Sequence, residues 1–150
     1  MSTIFFLKLG MLVFWGAWYV TAFATNFCDM LQALRILPNT WRFASGNLHS
    51  VIKTTAIYST PRRLPHLLFF GVLCWQFLVW LSFGWAIISS LAAGAINVDA
   101  MNMAFFLGLG LWAAFMLADE IFKQYDTEHA HALFFIAQLT TFIALHLLPS

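Results

Sequence analysis

The chain has 150 residues, 62% of them hydrophobic and only 9% charged, with a formal net charge of +1. A water-soluble domain carries about 25% charged residues, so this composition excludes one, and the near-zero net charge excludes a general attraction to nucleic acid. Mean hydropathy is +0.83, and the apolar residues fall in long runs, which points to an integral membrane protein.

The first apolar run covers residues 4–27, Ile4 to Phe27. It is too long and too aromatic for a cleaved signal peptide, with Lys8 about one turn inside, and is read as a retained helix. A long connection follows, Cys28 to Arg63, containing Asp29, Arg35, Arg42, Lys53, Arg62 and Arg63. Met30, Leu31, Leu34 and Leu37 form a stripe before Pro38, and Leu48, Val51 and Ile52 form another behind Asn47, a candidate cap. Both stripes are expected to be short helices in the membrane interface, with Arg and Lys reaching headgroups.

The second run covers residues 64–92, Leu64 to Ala92, and a Gly-containing turn leads to the third, residues 100–118. A polar connection, Asp119 to His129, leads to the fourth, residues 130–148. At 1.5 Å per residue each run can cross about 30 Å of hydrocarbon. Short loops make successive helices antiparallel. The expected fold is therefore all-α, one domain, an up-and-down bundle of four transmembrane helices with short interfacial helices in the first long loop.

Gly110, Ala114 and Ala118 recur every four residues in the third run, and Ala104 and Gly108 form a second such pair. Small residues at that spacing let helices approach closely in lipid. Gln76 and Gln138 lie at mid-membrane depth with Thr140 and Thr141. They can bond across helices, worth about 1 kcal/mol each or less, or contact a quinone carbonyl. Cys28 and Cys74 differ in depth and are read as unbridged packing residues. Trp15, Trp18, Trp75, Trp80 and Trp112 lie within the spans, away from the interface where tryptophan gathers. With seventeen Phe, they suggest an exterior that packs on another subunit, a pigment or ordered lipid.

Up-and-down topology puts His49, His66, His129 and His131 on one side of the membrane, with Asp119, Glu120, Asp126 and Glu128. His66 and His131 are the pair that can face each other as haem ligands. His49, His66, His129 and Glu128 are the candidate metal set for copper, zinc or iron. His129 and His131 diverge by about 200° on one helix and cannot share an ion. A structural cluster bonding to headgroups or loop backbone is the plainer reading. Asp119 and Glu120 mark the end of the third span or a proton path. Five of the seven Lys and Arg lie in the long connection, so the positive-inside rule places it in the cytoplasm and both termini outside.

Three short stretches resemble the bacterial "predicted small integral membrane protein" family of unknown function. Thr25-Asn26-Phe27 looks like its Ser/Thr-Asn-Phe, Trp41-Arg42 is similar to its Trp-Arg pair, and Glu120-Ile121-Phe122 with Tyr125 looks like its Glu-Trp-Phe and aromatic. The turn between spans two and three lacks the family's basic residues, and the histidines are not part of its pattern. The resemblance implies four spans, a bacterial inner membrane, the N-terminus inside and no particular reaction.

No nucleotide loop, hydrolase triad or zinc-protease helix is present, so the chain is read as non-enzymatic. The expected role is an accessory, structural subunit of a larger membrane complex, an electron-transfer assembly being the kind it points to. Its partners would be other membrane subunits and lipid. The alternative is a redox subunit binding haem, a metal or a quinone. A third is a small transporter or sensor using Asp119 and Glu120.

Overall fold

The computed structural model describes residues 2–61 and 63–149, and Arg62 lies outside the described residues. The described residues form five α-helices: α1 (Thr3–Ala33), α2 (Asn47–Thr55), α3 (Arg63–Ala93), α4 (Val98–Phe122) and α5 (Tyr125–Leu147). All but α2 are long and apolar enough to cross a membrane. The chain is thus an integral membrane protein built as a helical bundle. The helices pack in chain order, α1 on α3, α3 on α4 and α4 on α5, with α2 lying against α1 and α3.

Local signals set the ends. Ser2 Oγ accepts the Phe5 N–H at 3.1 Å, and Asn97 Oδ1 accepts the Ala100 N–H at 3.1 Å, each satisfying a donor that the first helical turn leaves open. Ser90 locks the intervening turn by accepting the Asn97 N–H at 2.9 Å, and Gly94 takes a positive φ of 67° there, a conformation that favours glycine because it has no Cβ. Arg35 and Lys123 adopt left-handed backbone just beyond the ends of α1 and α4, turning the chain out of each helix.

Several boundaries differ from expectation. α1 continues past Phe27 to Ala33 and absorbs the start of the Met30 stripe, since no breaker precedes Pro38. The polar connection after the third span shrinks to Lys123 and Gln124: α4 runs to Phe122 and α5 starts at Tyr125. Its polar residues form the last turn of one helix and the first turns of the next. Asn47 is the first residue of α2 rather than its cap.

The core is built around α4, which contributes Ala100, Met101, Ala104, Phe105, Leu111 and Trp112. Against these pack Leu12, Trp15 and Tyr19 of α1, Val79 and Phe83 of α3 and Leu145 of α5. Tyr19 stacks on Phe83 with centroids 5.7 Å apart. Trp112 stacks on Phe134 at 4.9 Å, whose ring also lies 4.7 Å from Trp18. The expected tryptophan exterior is corrected here. Trp15 and Trp112 are buried, and Trp18, Trp75 and Trp80 are half-buried against the core, where their large rings fill space between the helices.

Candidate functional site

Three polar clusters tie the bundle together at different depths. At mid-bundle the Tyr19 hydroxyl donates to Gln138 Oε1 at 2.9 Å. Gly108 makes the space: a Cβ there would stand 2.3 Å from Gln138 Nε2 and 2.8 Å from the Tyr19 oxygen. Gln138 Nε2 and the indole nitrogens of Trp15 and Trp112 are enclosed and have no acceptor among the described residues.

Toward the long connection, Asn26 is the hub. Its Nδ2 donates to Gln76 Oε1 at 2.9 Å. Its Oδ1 accepts from Ser45 Oγ at 2.7 Å and Asn47 Nδ2 at 2.9 Å. One turn on, Asp29 Oδ2 accepts the Leu48 N–H at 2.8 Å, so a carboxylate from α1 caps α2 and complements its positive dipole end. Leu48 then packs with Phe69 and Leu73 of α3 and against Phe23 and Met30 of α1. Gln76 and Gln138, placed at mid-membrane by sequence, are each hydrogen-bonded to α1 through the amide oxygen.

The third cluster joins α4 to α5. His131 Nδ1 lies 2.5 Å from Asp119 Oδ2, and Thr127 Oγ1 donates to Asp119 Oδ1 at 2.9 Å. Asp119 is buried, and the half-buried His131 ring stacks on Phe115 at 4.9 Å. With Nδ1 donating to the carboxylate, Nε2 is the acceptor nitrogen, and among the described residues no hydrogen bond reaches it. On the opposite face of the bundle Lys8 Nζ, also buried, donates to the Leu148 carbonyl at 3.0 Å, and His146 bonds Asn102 Oδ1 at 2.9 Å.

The other candidates are dispersed. His49 lies exposed on α2, and His66 lies exposed in the first turn of α3. His129 is exposed and bonds the Tyr125 carbonyl one turn back. The proposed ion set of His49, His66, His129 and Glu128 is not gathered: among the described residues no three His, Cys, Asp or Glu side chains could hold an ion. Its members stand on three helices, His49 on α2, His66 on α3, and Glu128 and His129 on α5. Cys28 and Cys74 are unbridged. Gly110 faces Trp75, whose Cζ2 would lie 3.2 Å from a Cβ there, while Ala114 and Ala118 are half-buried. Phe27 stacks on Phe23, Phe122 lies against Tyr58, and Trp41, Arg42 and Glu120 are exposed.

Sequence reasoning missed Tyr19, Asp29 and Ser45. A lone hydroxyl or carboxylate at the depth of an apolar run was the available signal. Comparison of the chain with protein-family models, curated proteins and solved structures gives no match.

Proposed function

We propose that this protein is a non-catalytic, structural subunit of a larger membrane assembly. The carrying observation is the seam between α1 and α5. The helices pack in chain order and leave these two joined mainly by long side chains. Beside that join runs an open apolar cleft of about 320 Å³, lined by Phe6, Gly10, Phe14 and Trp15 of α1 and Thr141 of α5. A glycine at the wall of such a cleft lets a further helix approach closely. The buried polar groups support a structural role, because their hydrogen bonds fasten helices to one another. The likeness to a four-span family of unknown function is compatible with it.

Gly10→Leu tests the proposal, since nothing lies within 4 Å of a Cβ at that position. Stability of the isolated variant should stay within about 0.5 kcal/mol of the parent. On a native gel after mild extraction, the parent protein should migrate within a large assembly and the variant should fall out of it. Migration of the parent alone would overturn the reading.

The Asp119–His131 pair favours a second reading, a redox subunit. An imidazole held by a carboxylate on one nitrogen and unbonded on the other is how ligand histidines are oriented. His131 would supply one ligand of a haem or metal, with His66 the candidate second. The purified protein would then show a visible absorption band that His131→Ala abolishes, and a parent spectrum with none excludes it.

A further inference from the structure

Outside the four long helices, apolar side chains need another explanation than the hydrocarbon around the spans. The connection between α1 and α3 exposes several, including Ile36, Trp41 and Phe43, the last two about half exposed at 49% and 51%. The same stretch carries Arg35, Arg42 and Lys53, all exposed. Residues 30–61 contain no Asp or Glu. Among the described residues, none of Arg35, Arg42 and Lys53 is paired with a carboxylate. The carboxylates Glu120, Asp126 and Glu128 of that end are grouped at the α4–α5 turn instead.

The tip is also held in shape. Gln32 Nε2 donates to the carbonyls of Pro38 and Trp41, both at 3.0 Å. The Ser45 N–H returns the chain to α1 by donating to the Thr25 carbonyl at 3.1 Å. Trp41, Arg42 and Phe43 are therefore presented by a braced loop, an aromatic–cation–aromatic triplet with little ordering entropy left to lose on binding. Such a triplet suits a layer where rings sit among glycerol and upper acyl carbons while a guanidinium forks onto phosphate.

We propose that the connection is an anionic-phospholipid binding surface, in which Trp41 and Phe43 enter the headgroup layer and Arg35, Arg42 and Lys53 bind lipid phosphates. The occupant is a lipid because the cations are unpaired and lie beside exposed rings, and each cation near an anionic leaflet adds to the attraction. The assignment puts this end of the bundle on the anionic, cytoplasmic leaflet, and it is independent of the subunit proposal.

The test uses the full chain in nanodiscs of phosphatidylcholine with or without phosphatidylglycerol. Lipids brominated on the upper acyl carbons report ring depth by quenching, and the Trp41→Phe variant identifies the Trp41 share of the signal. Native mass spectrometry of detergent-solubilised protein counts retained lipids. Expected results are at least about tenfold preference for phosphatidylglycerol, loss of most of it in Arg35→Gln/Arg42→Gln/Lys53→Gln, and weakening by salt. Brominated phosphatidylglycerol should quench Trp41. An unchanged melting temperature of the triple variant would show that it is folded, and single Gln variants give graded losses if it is not. Equal retention of both lipids, or a Trp41 that brominated lipid does not reach, overturns the proposal and leaves the surface to a protein partner.

Discussion

Gly108 shows how one missing methyl group organises the middle of this bundle. The Tyr19–Gln138 bond crosses directly over it, and a Cβ would collide with both partners, one of them at 2.3 Å. Gly108→Ala should therefore force the pair apart and cost about 1–3 kcal/mol, read by thermal unfolding in detergent. Gly110→Ala meets only the edge of Trp75 at 3.2 Å and should cost less. The opposite order would show that the pair can give way easily. Tyr19→Phe keeps the ring stack on Phe83 but strands the Gln138 oxygen. Its expected cost is about 1 kcal/mol, near that of membrane hydrogen bonds in general, and it should be visible in the same assay.

Among the helices, α2 depends most on its neighbours. At nine residues it is too short to be stable alone in water. It is held by the Asp29 carboxylate at its start and by Leu48 between α1 and α3. Asp29→Ala should remove about 1 kcal/mol of capping. Amide exchange in residues 47–55 should then quicken while the long helices stay protected, and uniform change throughout the protein would contradict this. At the other end of the connection, the Tyr58 hydroxyl donates to the Ile121 carbonyl at 2.6 Å. The connection thus runs from α1 across to the end of α4, and a sequence reader who sees only a basic loop has no way to place that bond.

The whole molecule makes a topological prediction. Four antiparallel crossings put Ser2 and Leu147 on one side and Ser59 and Lys123 on the other. In sealed vesicles, on a background with both native cysteines replaced by alanine, a membrane-impermeant thiol reagent should label Ser2→Cys and Ser59→Cys from opposite faces. Labelling of both from one face would break the four-span arrangement. The fold was largely legible because apolar runs long enough to cross hydrocarbon have few alternatives there: a backbone in lipid must close its own hydrogen bonds. The sites were less legible. Gln76 and Gln138 stand out as polar interruptions, but nothing in their neighbourhoods names Asn26 or Tyr19, fifty and 119 residues away.

By itself the sequence determined the membrane class, the number of spans, the short helix around Leu48 and the basic character of the long connection, since each follows from local composition and period. Only the tertiary structure decided which way the tryptophans face, that Asp119 reaches His131, and that α1 and α5 leave a cleft between them. These depend on how each helix rotates about its own axis. That rotation is fixed by contacts between residues far apart in the chain, and in spans apolar on every side the pattern of residues leaves it nearly free.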